Sequence, residues 1–439
     1  MRWVWMGLLL AAPAWAASWR VQFSAWDGDA NGRPAGWSVW APRPEIAPRT
    51  FVDRVHYRGK PGSLAVSGNS NPAVFGGWEH AVPGITAGTW YRFVAHYRTE
   101  GIRYESSQVL ARLLWMDDAG KRIGHPDFPY AVERLGDWMR LSLDAPAPEG
   151  ASTLRVQLLL ANAPAGTVWW DDLSLEAIPA PRPRRVTIAS IKFMPHGTTS
   201  AAESVERFVE TVNRTVTSPV DVILLPEGIT VAGTGKSYVD VAESVPGPTT
   251  ARLGELARSK RAYVAAGIYE REGRAVYNTA VLIGRSGEVV GKYRKVHLPY
   301  TEIEAGLTPG DAYPVFRTDF GKVGMMICWD SEFAEPSRAL ALQGAELILL
   351  PIWGATEPLV KARALENRVF LAQSCYSNPS FIVDPRGEVQ AIATEGGTVA
   401  MATIDLNQRY SWPGLGVMRE RIPKELRLDV PMPRPGFVE

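Results

Sequence analysis

Apolar and polar positions alternate in two different ways along this chain. Up to about residue 178 the apolar residues fall in short, aromatic-rich runs: Thr89–Tyr97, Val109–Trp115, Leu154–Leu160 and Thr167–Leu175. Turn-rich stretches such as Asp117-Asp118-Ala119-Gly120 separate them. Short strands at this spacing predict an all-β sandwich. Further along, Val220–Leu225, Ala262–Tyr269 and Glu346–Pro351 are continuous apolar runs suited to buried strands. Between them Val205, Phe208, Val209, Val212 and Val216 recur at helical spacing, as do Leu253, Leu256 and Ala257. Strands alternating with helices predict a layered α/β fold.

The two patterns meet at Ile178-Pro179-Ala180-Pro181-Arg182-Pro183-Arg184. Alternating prolines remove backbone donors and hold a chain extended, which suits a short stiff linker. The expected organisation is a β-sandwich over residues 17–178, a linker over 179–184 with the boundary near Pro181, and an α/β domain over 185–439. Tryptophan usage breaks at the same place. Ten tryptophans lie from Trp19 to Trp170, and beyond the linker only Trp329, Trp353 and Trp412.

The first 16 residues stand apart from both domains. Met1-Arg2 is a minimal basic start, Trp3 to Ala12 is apolar, and Ala14-Trp15-Ala16 fits a small-x-small cleavage site. This predicts a secretory signal peptide and a secreted or periplasmic protein. A membrane anchor needs about 20 apolar residues, more than this stretch supplies, and no later segment is long and apolar enough to span a bilayer.

Composition narrows the chemistry. With 47 basic and 46 acidic residues the formal net charge is +1, which leaves no electrostatic footprint for nucleic acid. Two cysteines, Cys328 and Cys375, in 439 residues exclude a disulfide scaffold and a Cys-rich zinc module. The six histidines show no metal-ligand spacing.

Three reactive side chains close or follow segments of the second pattern. Glu227 lies in Leu224-Leu225-Pro226-Glu227-Gly228, Lys295 in Gly291-Lys292-Tyr293-Arg294-Lys295-Val296-His297-Leu298-Pro299, and Cys328 ends Val323-Gly324-Met325-Met326-Ile327-Cys328. Each segment resembles a signature of the carbon–nitrogen hydrolase (nitrilase) superfamily, in the same chain order. The resemblance runs from about Arg185 to about Asp405. It continues through Trp329-Asp330-Ser331-Glu332-Phe333, Gly344-Ala345-Glu346 and Arg363-Ala364-Leu365-Glu366-Asn367-Arg368. It implies that the second domain is a four-layer α-β-β-α sandwich with Glu227, Lys295 and Cys328 as a catalytic set. It implies hydrolysis of a non-peptide C–N bond, in an amide or N-carbamoyl (ureido) compound, with no metal or organic cofactor. A homo-oligomer built through the hydrolase domain is expected.

Elementary chemistry agrees. A neutral thiol is a poor nucleophile and needs a base or a lowered pKa. Glu227 supplies the base. A helix beginning near Pro336, capped by Asp330 or Ser331, would further favour thiolate. On an extended Tyr293–His297 segment, Tyr293, Lys295 and His297 share a face, so Lys295 points inward to hold an oxyanion while Arg294 points away. The Trp329 backbone N–H is the natural second donor. Family members often carry a second glutamate after the lysine and before a Pro-Gly. In Tyr300-Thr301-Glu302-Ile303-Glu304-Ala305 the better candidate is Glu304, with Glu302 as rival. Family branches that bind amino-acid-derived anions carry an arginine shortly after the nucleophile, where this chain has Ser331 and Glu332. Cys375 carries no motif and is expected in the core.

The first domain has a resemblance of its own. Gly166-Thr167-Val168-Trp169-Trp170-Asp171-Asp172-Leu173-Ser174-Leu175 resembles the last strand of jelly-roll carbohydrate-binding modules, and Gly32–Trp37 their first. This implies a jelly-roll sandwich, with a carbohydrate ligand as one reading of its tryptophans. Asp27-Gly28-Asp29-Ala30-Asn31-Gly32 matches the first half of a calcium loop, but the closing acidic ligand is missing at Ser38. Asp171 or Asp172 is the alternative ligand. Gly233-Thr234-Gly235-Lys236-Ser237 has the end of a phosphate-binding loop but lacks glycine at Thr230, and is read as an active-site rim. The competing functions are an acyltransferase with the same three residues, a non-catalytic extracellular sugar-binding protein, and a glycosidase suggested by the first domain.

Overall fold

The computed structural model describes residues 18–21, 33–59 and 62–431. The expected signal peptide and the Asp27–Gly32 half-loop lie outside the described residues. The chain forms two units, Met1–Pro181 with Ser411–Glu439, and Arg182–Tyr410. The sequence reading ran the second domain to residue 439; the structure groups residues 411 onward with the first unit. The reason is local burial: on the helix Met418–Glu425, Glu420 and Lys424 are buried, and Glu420 accepts from the Phe128 N–H.

Among its described residues the first unit is built from a seven-stranded and a four-stranded sheet. The four runs named above become the strands Trp90–Glu100, Val109–Met116, Thr153–Ala161 and Thr167–Ile178. Alternate residues of these strands, such as Phe93, Ala95, Leu113, Val156, Leu158 and Trp170, meet in one apolar core between the sheets.

The second unit has two six-stranded sheets. In the first sheet Arg185–Lys192, Val222–Leu224 and Tyr263–Glu272 run parallel, flanked by antiparallel Ala275–Ile283, Val289–Arg294 and Thr398–Asp405. In the second, Lys322–Met325, Leu347–Ile352 and Phe370–Cys375 are the parallel strands. The continuous apolar runs have a physical reason: both faces of these strands are buried. Val222 and Leu224 face the core between the sheets, as do Val323, Met325, Leu347 and Leu349 from the other side. Ile223 and Leu225 turn to the opposite face, under the helices Ala201–Thr215 and Pro248–Lys260. Ile348 and Leu350 likewise turn toward the helices Ala334–Leu342 and Glu357–Asn367. Three stacked cores make four layers, α-β-β-α. The apolar face expected at Val205, Phe208, Val209, Val212 and Val216 is buried against the first sheet. Ser200 caps that helix by accepting from the Glu203 N–H.

Candidate active site

Each of the three reactive residues sits just past the end of a strand. Glu227 follows Val222–Leu224 through a backbone ladder: Leu225 N–H donates to Ala265 O, Gly267 N–H to Pro226 O, and Ile229 N–H to Gly267 O. Gly267 has to be glycine, because a Cβ there would lie 2.7 Å from the Glu227 Cα. Cys328 follows Lys322–Met325 and opens a 3₁₀ turn, Cys328–Glu332, with φ of +42°. That left-handed backbone is strained for a side chain with a Cβ and turns the thiol out of the strand direction. Lys295 follows Val289–Arg294, its N–H held by Asn278 O at 2.8 Å.

These three side chains converge. Lys295 is fully buried, and its ammonium donates to Glu227 Oε1 at 3.0 Å and to Glu302 Oε1 at 2.9 Å. Asn278 Nδ2 donates to the same two oxygens, at 2.7 and 2.8 Å. Cys328 lies within electrostatic reach of both Glu227 and Lys295. Burial works against the Lys295 ammonium, but the carboxylates of Glu227 and Glu302 outweigh it and hold the proton on. Burial pushes the Glu302 carboxyl above its usual range, against the pull of Lys295.

Three sequence expectations change here. The second glutamate beside Lys295 is Glu302, not Glu304. Both lie on the short helix Tyr300–Glu304, and residues two apart on a helix point to nearly opposite sides. Glu302 is buried against Lys295, while Glu304 is exposed and meets the Tyr300 hydroxyl. Secondly, Asp330 and Ser331 cap no helix near Pro336: the helix starts at Ala334, without a side-chain cap. Asp330 instead ties the nucleophile turn to the lysine segment. It accepts from Ile327 N–H, His297 N–H and the Tyr293 hydroxyl, at 3.0, 3.0 and 2.7 Å. Thirdly, the surroundings of Cys328 favour the neutral thiol over the thiolate. Burial pushes the thiol up, Glu227 pushes further, and Lys295 offsets only part.

The remaining candidates fall into place around this centre. The Trp329 side chain is 42% exposed, so it lies at the rim while its backbone continues the turn. Lys292 and Arg294 point to the opposite face of the strand, where both pair with the buried Glu270. Arg363 comes from the helix Glu357–Asn367 and donates to Ser331 O and Glu332 O and to the Glu366 carboxylate. Cys375 is free and buried. Asn278 and Asp330 were missed as site residues by sequence reasoning. Neither has a charge pattern or spacing of its own, since each is placed by a strand partner or a turn. Among the described residues no group of His, Cys, Asp and Glu is arranged to hold a metal, and no helix is long and apolar enough to cross a membrane.

Comparison with known proteins covers the same stretch. The carbon–nitrogen hydrolase family profile matches residues 187–414. The omega-amidase NIT2 of Xenopus tropicalis is 32% identical over 249 residues, 51% of this chain and 88% of that protein. A nitrilase of Pyrococcus abyssi is 37% identical over 188 residues, 39% of this chain and 71% of that protein. The crystal structure of Saccharomyces cerevisiae Nit3 aligns with a TM-score of 0.46 at 24% identity, over 50% of this chain and 90% of Nit3. Because the family profile spans more than half of the chain and the Xenopus omega-amidase is matched over 88% of its length, the chain belongs to the carbon–nitrogen hydrolase family of the nitrilase superfamily, as an amidase-type enzyme acting on C–N bonds.

Proposed function

We propose that the protein is an exported hydrolase that cleaves an amide or N-carbamoyl C–N bond through a thioester on Cys328. One observation carries this reading: a fully buried ammonium, Lys295, hydrogen-bonded to Glu227 beside the half-buried thiol of Cys328. Glu227 removes the thiol proton as sulfur attacks the carbonyl carbon. The oxyanion that forms is held by Lys295 and the Trp329 N–H. Glu227 then gives its proton to the departing nitrogen, and ammonia or an amine leaves a thioester. Water, deprotonated by Glu227, attacks the thioester and releases the acid; the thiolate recovers its proton from Glu227. The Arg363 guanidinium behind the Cys328 turn is engaged by two backbone carbonyls and Glu366, which favours a substrate without a carboxylate near the scissile bond. Ammonia release from a panel of amides, ureides and nitriles, with mass spectrometry of trapped Cys328, tests the reading. Turnover without an adduct on Cys328 would overturn it, and transfer of the acyl group to added amines in preference to water would favour the acyltransferase.

A carbohydrate ligand for the first unit has its own support. Ser38, Glu79, Gln157 and Arg112 are register neighbours across the four-stranded sheet, on the face opposite the core. The Arg112 guanidinium stacks over the Trp40 ring at 4.6 Å. Gln157 Oε1 and Arg112 Nε are buried without a hydrogen-bond partner. An aromatic plane beside unmet donors and acceptors suits a sugar ring and its hydroxyls. Calorimetry against soluble glycans, with Trp40→Ala and Gln157→Ala as controls, tests it; no binding to any glycan, or binding unchanged in both variants, would refute it.

A further inference from the structure

Asn278 stands at the middle of the buried cluster without a role in the steps above. It lies on the strand Ala275–Ile283, opposite Tyr269 in the register, and is fully buried. Its neighbours along the strand have other work: Thr279 bonds Glu270 on the opposite face, and Ala280 packs between the sheets. Its two halves hold different parts of the site. The backbone carbonyl accepts from Lys295 N–H, and the side-chain amide donates to Oε1 of both Glu227 and Glu302. The second oxygens, Oε2 of each glutamate, have no donor.

A carboxylamide is suited to this place by its chemistry. It offers two N–H donors and no charge. A cation there would compete with Lys295 for both carboxylates, and an acid would repel them. With Oε1 of Glu227 taken by Asn278 and Lys295, Oε2 is left for the Cys328 proton. The groups that face this arrangement come from every neighbouring element. Lys295 and Glu302 lie on the segment after Val289–Arg294, and Cys328 on the nucleophile turn. Tyr238, Tyr269 and Tyr376 bring phenols toward Glu227.

We propose that Asn278 is a positioning residue that fixes one oxygen of each glutamate and directs the other oxygen of Glu227 to the thiol. The inference rests on Glu227 being the base. A carboxylate that loses a donor to its charged form holds its proton more tightly. In Asn278→Ala the acid limb of kcat/KM therefore moves to higher pH, and kcat falls by about 10²-fold with little change in KM. Asn278→Asp keeps the shape and removes the amide donors, so it loses activity at least as badly.

The experiment measures kcat and KM across the acid and neutral range for the full-length chain and both variants, with thermal melts to verify folding. A folded Asn278→Asp enzyme within about threefold of the parent would overturn the proposal, because shape alone would then suffice. So would an Asn278→Ala enzyme that loses rate equally at every pH with its acid limb unmoved. If Asn278→Ala does not fold, the near-isosteric Asp variant still decides. Glu227→Gln separates the two readings: an active Glu227→Gln enzyme would refute Glu227 as the base, whereas an inactive one beside unaffected Asn278 variants would refute the role of Asn278 alone.

Discussion

Cys328, Glu227 and Lys295 make demands on one another that can be read as separate measurements. Cys328→Ala and Cys328→Ser should abolish turnover with the melt unchanged, because the proposed mechanism has no other group to form the acyl-enzyme. Glu227 raises the thiol and, in the proposed mechanism, is also its base. Removing its charge in Glu227→Gln should therefore have opposite effects on two assays: amide turnover is lost, and iodoacetamide alkylation of Cys328 becomes faster at a given pH. The sign follows from the thiol, since a lower proton affinity means more thiolate at that pH. Alkylation slowed by Glu227→Gln would contradict the electrostatics. Lys295→Ala should lower kcat by about 10²-fold or more, and Lys295→Arg should fail nearly as badly, because a planar guanidinium does not replace a point charge between two carboxylates. Lys292→Ala is the control, since Lys292 belongs to the Glu270 cluster on the far face of the strand. The glutamates divide in the same way: Glu302→Gln should depress kcat, and the exposed Glu304→Gln should leave it unchanged. A larger loss from Glu304→Gln than from Glu302→Gln would restore the reading that the sequence favoured. That choice was illegible in the sequence because both residues lie between Lys295 and Pro309-Gly310, and only the direction of one helical turn separates them.

At the scale of elements, the site depends on how closely backbones approach. The strand carrying Gly267 runs against the turn that carries Glu227, and an added Cβ would lie 2.7 Å from the Glu227 Cα and 2.9 Å from Gly228 N. Both are backbone atoms, so neither yields as a side chain would. Gly267→Ala should destabilise the fold by about 1–3 kcal/mol and also displace Glu227. A thermal melt with kcat measured on the folded fraction separates the two effects; a variant normal in both would show that the turn has slack. The strands and helices themselves were legible, because a strand buried on both faces is a continuous apolar run and a helix under a sheet is a stripe at helical spacing. The N-terminal cap expected for the helix after Cys328 was not realised. Asp330 is spent instead on three donors from two segments, Ile327 on its own turn and Tyr293 and His297 on the lysine segment.

For the whole molecule, the division into Arg182–Tyr410 and the remainder is a claim about which contacts hold each unit together. A fragment spanning 182–410 should fold and keep kcat within about threefold of the intact protein, since every residue of the proposed mechanism and all twelve strands of its two sheets lie inside it. Extending the fragment to residue 439 should add no stability, because the helix Met418–Glu425 belongs to the other unit. Insolubility of the 182–410 fragment beside a soluble whole chain would show that the units depend on one another.

What the sequence determined by itself is whatever periodicity and local chemistry encode. Burial of both faces imprints the layered fold on the second unit, alternation imprints the sandwich on the first, and Cys328, Glu227 and Lys295 each stand in a recognisable segment. The tertiary structure decided what depends on direction and on distant partners. It selected Glu302 over Glu304, brought Asn278 from a neighbouring strand between two carboxylates, gave Asp330 its work in joining two turns, and returned the C-terminal helix to the first unit. The physical reason is the same in each case: a spacing in sequence sets which residues are near one another along the chain, but the side a short helix shows, or the partner a buried polar atom meets, is set only when separate elements pack.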